Sequence, residues 1–217
     1  MKKAWSICKE YYVTYLVMAF VFMLFFYFSS KSPSDLERFK FLAIFISIFL
    51  VLIATAEYLS HTYYRPWKIN KMLVSDPFLK FSKKGFTTNK IENTLIGEIE
   101  KYTILMGILW TNDLKMPVYF YQVLFNPYQR SQYIQEKEYD TYQKELKKEG
   151  QVIKLNSIVK EYNRNKLFIN TSYEKMHQDI MDSIIFLKEK NLDSISFDDW
   201  EALIPEIEKY GRSLQKI

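Results

Sequence analysis

The sequence predicts an α+β chain in which an antiparallel two-helix transmembrane hairpin precedes one domain with a mostly antiparallel sheet and flanking helices. Three observations predict it. Two charge-free apolar runs lie near the N-terminus, short stretches rich in β-branched and aromatic residues fill the middle, and helix-period patterns close the chain. The expected division is a hairpin at 1–64, a basic helical segment at 65–85 and a single α+β domain at 86–217.

The first apolar run spans 11–28 (YYVTYLVMAFVFMLFFYF) and the second 41–59 (FLAIFISIFLVLIATAEYL). No charge falls between Glu10 and Lys31, nor between Lys40 and Glu57. A helix rises about 1.5 Å per residue and the hydrocarbon core is roughly 30 Å thick, so about 20 such residues are needed to cross. A charge at the bilayer centre costs about 2.5–3.5 kcal/mol, so uninterrupted runs of this length read as spans. A signal peptide followed by a core helix fits less well. The first run is long for a signal core, and FSSKSPSD follows it instead of a small-residue cleavage site.

Aromatic flanks support the spans. Trp5, Tyr11 and Tyr12 stand at the start of the first, and Tyr58, Tyr63, Tyr64 and Trp67 at the exit of the second. Such rings favour the headgroup level. The connector 29–40 is short and polar, so the helices should run antiparallel with both chain ends on one side. Lys2, Lys3 and Lys9 precede the hairpin, and Arg65, Lys68 and Lys71 follow it closely, against Lys31, Arg38 and Lys40 in the connector. The positive-inside rule then places both termini in the cytoplasm. Five Gly among abundant Lys, Asn, Ile, Tyr and Phe fit an AT-rich, bacterial genome, which makes the expected location a bacterial plasma membrane.

Charge is uneven along the 217 residues. The net is +5, and from His61 to Lys90 seven Lys and Arg face one acid, Asp76. A basic stretch beside a membrane span suits anionic lipid, at about 1 kcal/mol per charge. Arg65, Lys68, Lys71, Lys80, Lys83 and Lys84 are the expected contacts. No nucleic-acid-binding pattern accompanies them, so nucleic acid is not an expected partner.

Within the domain, Asp76, Pro77, Lys83, Lys84 and Gly85 punctuate a short helix with cap, first-turn proline, C-terminal cations and terminal glycine. Pro66 should limit the second span's helix. Strands are expected at 86–92, 95–100, 102–110 and 116–126, with turn residues at 111–115. In the last strand Tyr119, Tyr121, Val123 and Phe125 share one face, and Val118, Phe120, Gln122 and Leu124 the other. That pattern predicts a central strand covered on both sides. Gly97 and Gly107 inside strand-like runs suggest bulges or close backbone approach.

Asn126 and Pro127 should open a helix that Gly150 closes, with Tyr139, Tyr142 and Leu146 as its apolar stripe. Strands are expected at 152–160 and 166–170. Thr171 to Glu174 resembles a capping box for a helix carrying Tyr173, Met176, Ile180, Ile184 and Leu187. Ser196 to Asp199 should cap a last segment that Pro205 kinks or breaks.

No catalytic, cofactor or metal residue is expected. Cys8 is the sole cysteine, His61 reads as interfacial, and His177 has no ligand-spaced partners on its helix. Phosphate-loop, dinucleotide, zinc-protease and nucleophile-elbow patterns do not occur. The acid pairs Asp198/Asp199 and Glu206/Glu208 read as caps or a solvated face. Thr14, Ser47 and Thr55 in the spans can bond their own helix backbone. The expected function is therefore a non-enzymatic docking or scaffold module held at the inner membrane face, with the bilayer and a protein partner or second copy as partners. The alternative is a bacterial two-span effector, whose domain senses a ligand and whose helices oligomerise and disrupt the bilayer. An enzyme acting on lipid or nucleotide ranks below both.

Overall fold

The computed structural model describes residues 8–29, 33–89, 91, 93–110, 116–129, 132–162 and 171–214. They form two compact units, Met1–Lys68 and Ile69–Ile217.

The first unit is helical. A π-type turn at Cys8–Tyr12 leads into α1 (Val13–Ser29), and α2 runs over Pro33–Leu59. A second π-type turn, Ser60–Tyr64, passes directly into α3 (Arg65–Leu73). Small residues are inside and large ones outside. Ala19, Ala43 and Ala54 are buried, while Phe20, Phe25, Phe45 and Leu52 are 58%, 65%, 61% and 61% exposed. Ser47 Oγ donates to Ala43 O and Thr55 Oγ1 to Val51 O, both at 2.8 Å, so these hydroxyls bond their own helix as expected.

Helical structure from Lys40 to Leu73 makes one run of 34 residues, the one helix among the described residues long and apolar enough to cross a membrane. At about 1.5 Å per residue it extends roughly 50 Å. The other apolar helix, Val13–Phe25, is shorter than that requirement. Pro66 does not end the second helix. The backbone N–H of Arg65 reaches back to Ser60 O, a five-residue step, and the widened turn absorbs the proline that follows. Pro66 has no N–H to place, so helix resumes beyond it.

The second unit is α+β. Ile69 of α3 joins its core, and α4 (Phe78–Lys83) follows a cis Asp76–Pro77 bond. Its N-cap is Pro77, without a side-chain cap. Asp76 pairs instead with Lys80 at 3.2 Å. Gly85 terminates the segment at φ +98°, the left-handed region that favours glycine.

Six strands form one antiparallel sheet in the order β1-β2-β3-β4-β8-β7. They are β1 (Thr87–Thr88), β2 (Thr94–Ile99), β3 (Tyr102–Leu109), β4 (Val118–Leu124), β7 (Val152–Lys154) and β8 (Ser157–Tyr162). β5 (Tyr128–Gln129) and β6 (Gln132–Tyr133) make a separate small hairpin. β4 is interior, registered on β3 through Tyr121↔Met106 and on β8 through Tyr121↔Lys160. Both its faces are buried except at half-buried Gln122.

Helices cover both sides of the sheet. On one, Ile104, Met106, Tyr121, Val123 and Ile158 meet the stripe Met176, Ile180, Ile184 and Leu187 of α6 (Tyr173–Glu189). Each of those four α6 side chains is fully buried, a transfer worth about 1.5–3 kcal/mol apiece. On the other, Leu105 and Leu124 pack with Ile195 and with Phe197, Trp200 and Leu203 of α7 (Phe197–Leu214).

Several expected boundaries move. Of the strand expected at 86–92, Thr87–Thr88 form β1, 90 and 92 lie outside the described residues, and Phe86 turns into the core. Gly97 accommodates it, since a Cβ there would lie 2.5 Å from the Phe86 ring. At Gly107 a Cβ would lie 2.3 Å from Asn93 O, so both glycines mark close approach. Asn126 opens a turn rather than a helix, its Oδ1 accepting from Tyr128 N–H at 2.9 Å. Helix α5 begins only at Glu136 and runs to Leu146, capped reciprocally by Gln135 and Glu138. A short 3₁₀ turn then ends at Gly150, φ +68°.

The single strand expected at 152–160 is a hairpin, β7 and β8, turning at Leu155–Asn156. Ser172, not Thr171, caps α6, accepting from Lys175 N–H at 3.2 Å. Pro205 lies inside a continuous α7. The turn expected at 111–115 and the strand expected at 166–170 lie outside the described residues.

Candidate membrane interface

The aromatic residues expected at the exit of the second span gather where the first helix begins. The Tyr11 ring lies 5.6 Å from Tyr58, edge to face, and 5.7 Å from His61. Tyr58 meets Tyr63 at 6.4 Å and 90°. Tyr64 and Trp67 are 6.1 Å apart. Edge-to-face pairs of this kind contribute about 0.5–1.5 kcal/mol beyond area burial. Tyr12 adds a polar tie, its hydroxyl 3.1 Å from Thr55 Oγ1 across 43 residues of sequence. α1 and α2 are thus antiparallel neighbours at this end. Trp5 lies outside the described residues.

Beside these rings the same helix presents an open face of Ala56, Leu59, Ser60, Tyr63, Tyr64 and Trp67, apolar apart from the Ser60 and tyrosine hydroxyls. Arg65 and Lys68 follow on the same helix, both half-buried. Lys68 stands four residues after Tyr64, the spacing of neighbours on a helix surface.

The remaining expected lipid contacts have different surroundings. Lys71 is exposed on α3. Lys80 bonds Glu174 Oε1 at 2.9 Å as well as Asp76, and these two carboxylates raise its pKa, Glu174 most. The same contact, with the Ser172 hydroxyl and the helix backbone, lowers Glu174 to about 2. Lys84 sits 5.0 Å over the Tyr173 ring, and Lys83 is exposed. Lys80 is therefore committed to ion pairs inside the domain, whereas Lys83 and Lys84 form no ion pair among the described residues.

A polar cluster between sheet and helix was not expected. Asp179 of α6 accepts from Lys160 Nζ at 2.9 Å and from the Tyr162 hydroxyl at 2.6 Å. Both members of the ion pair are only 13% exposed. One turn on, Ser183 donates to the Asp179 carbonyl and lies 2.9 Å from the Tyr121 hydroxyl, which Gln151 Nε2 also reaches at 3.1 Å. Burial pushes the Tyr121 phenol up. Burial and then the Asp179 carboxylate push Tyr162 up. Every member has a partner, so the cluster fastens α6 to β4 and β8 rather than presenting a reactive group. One signal could have revealed it: Ser183 falls on the apolar stripe of α6, four residues after Asp179.

The titratable residues weighed in the sequence occupy ordinary positions. His61 is at the aromatic exit, and His177 lies 5.5 Å from the Tyr173 ring. Ser196 caps α7, its hydroxyl accepting from Asp199 N–H at 3.2 Å and donating to the Asp199 carboxylate at 2.6 Å. Glu206 and Glu208 are exposed. Among the described residues no group of three His, Cys, Asp or Glu could hold a metal ion. Comparison with known proteins returned no matching family model, no matching curated protein and no matching solved structure.

Proposed function

We propose that this chain is an integral membrane protein whose α1–α2 pair spans the bilayer twice, with both ends in the cytoplasm of a bacterial cell. There it holds the α+β unit as a docking module for a protein partner. The observation that carries the reading is the outward display of large apolar side chains along both helices, while the buried positions among their described residues are Ala19, Ala43 and Ala54. Exposing a Leu or Phe to water instead of an apolar medium costs about 1.5–3 kcal/mol each. Lipid removes that cost without requiring a protein core. In such a pair, small residues let helix backbones approach, as Ala19, Ala43 and Ala54 do.

The docking half of the reading draws on how the α+β unit is packed. Both faces of its sheet are packed, and its polar cluster is satisfied, so it offers a firm surface. Alkaline carbonate extraction of cell membranes tests the anchor: the full-length chain is expected in the pellet, and release to the supernatant would refute it. A reporter fused after Ile217 is expected to be active only on the cytoplasmic side, and the reverse would overturn the orientation. Purification of the full chain in gentle detergent is expected to carry a stoichiometric protein partner. Substrate turnover by the pure protein would replace docking with catalysis.

A further inference from the structure

We propose that α7 is a displaceable strap, and that the sheet face beneath it, Ile96, Leu105 and Leu124, is where a protein partner lays an amphipathic helix of its own. This rests on the docking reading above and goes further, naming the surface and the kind of partner. The two helices that cover the sheet are seated differently. Met176, Ile180, Ile184 and Leu187 of α6 are each fully buried. On α7, Phe197, Trp200, Leu203 and Ile204 are half-buried, and Ile207 is the buried member of the stripe among the described residues. The face that α7 covers, Leu105 and Leu124 with Ile195, is a cluster separate from the main core.

The chain is fastened to the sheet up to Ile195. Asn126 N–H donates to Asp193 O at 2.8 Å, Phe125 forms a backbone bridge to Ser194, and the Thr103 hydroxyl donates to Ile195 O at 2.7 Å. From Ser196 onward the capping bonds run between Ser196 and Asp199, so they travel with the helix. The Tyr133 hydroxyl reaches Glu206 at an exposed carboxylate, where water can take its place. Trp200 supplies a reason to open. Its ring stacks on Phe197 at 5.7 Å, while its Nε1–H is buried with no acceptor. Water provides that acceptor once the helix lifts. The occupant follows from what the face holds now. It accepts a helix with apolar residues at the spacing of 197, 200, 203 and 207, and it gives an indole nitrogen nothing to bond. A second copy's α7 would repeat the unpaired donor. A different chain with Leu or Phe at that position fills the face without it.

Two measurements on the full-length protein in detergent test this. In hydrogen exchange the α7 amides should open as a separate unit, about 100-fold faster than the slowest amides of β4. Protection equal to that of β4 would overturn the strap. The second measurement is anisotropy of a fluorescent synthetic peptide carrying residues 196–214 with Trp200→Phe. In the full chain, Trp200→Ala loosens the strap without altering the face, so it should bind this peptide about ten-fold more tightly than wild type does. Unchanged exchange in β4 shows that the variant still folds. Equal affinity, or binding to neither protein, would overturn the surface. Dimers of the wild type that form by exchanging α7 would overturn a different chain as the occupant. Failure of the docking reading has its own signature. A full chain that purifies without a partner, yet opens and binds peptide as expected, refutes docking, whereas a bound partner with α7 protected like β4 refutes only the strap.

Discussion

Breaking the Lys160–Asp179 pair should loosen the domain far more than a surface ion pair would. The perturbation is Asp179→Leu. At 2.9 Å the pair's attraction is about 6 kcal/mol with an effective dielectric near 20, before desolvation is subtracted. Removing one partner of a buried pair costs about 3–5 kcal/mol, because the other charge is left without compensation. Both side chains keep 13% exposure, which moves the expectation to the lower end. Tyr162 also loses its acceptor, so about 3–4 kcal/mol is expected in total. Hydrogen exchange is the assay, since the slowest amides of β4 and β8 report opening of the unit. Their rates should rise about 150-fold or more for about 3 kcal/mol. Asp179→Leu with Lys160→Met removes both charges and should recover much of the loss, leaving a coupling of at least about 1 kcal/mol. A double variant no more stable than Asp179→Leu alone would refute the idea that an unpaired charge is what hurts.

Three further outcomes are expected. Gly107→Ala drives a methyl against Asn93 O and disturbs the Ile108 N–H bond to that same oxygen, so a loss of about 2–4 kcal/mol should appear in the same exchange measurement. Glu174 has a lowered folded pKa, so its contribution is complete above its ordinary value of 4.5 and is lost as pH falls through about 2. A carboxyl NMR titration should place its midpoint near 2, and Lys80→Gln should return it toward 4.5. Phe45→Arg places a charge midway along α2 at an insertion cost of about 2.5–3.5 kcal/mol. The carbonate-resistant fraction should fall, and an unchanged fraction would mean that Phe45 does not face lipid.

The sequence was most legible where periodicity and burial agree. The α6 stripe follows from a 3.6-residue repeat of apolar positions, and β4 from apolar residues on both faces, so each pattern has one packing solution. Gly97 and Gly107 were legible because a glycine inside an apolar strand has few explanations. Punctuation misled where one residue type serves two turns. Asn-Pro at 126–127 suits a helix start as well as an Asx turn, and the chain had room for a hairpin before Gln135. Pro205 and Pro66 were read as breakers, yet helix persists at both, through a widened turn at Pro66. Side-chain partnerships were least legible. Nothing in the chain order joins Lys160 to Asp179 or Lys80 to Glu174, because strand register and helix docking create those distances. The aromatic exit was readable as composition, whereas its ring pairs, Tyr11 on Tyr58 and His61 among them, depend on how the two helices are docked.

The sheet ends in very short strands. Among the described residues β1 offers two residues, paired with Ile96 and Leu95 and followed by a bond from Asn89 N–H to Thr94 O, and β7 offers three, pairing with residues 157–159. An edge this brief gives an incoming strand little continuous backbone to add to. Growth of the sheet from one molecule into the next is therefore discouraged at both margins. Copies crowded together at high concentration would have to recognise one another through side chains, which can be selective, rather than through main-chain ladders, which accept almost any sequence.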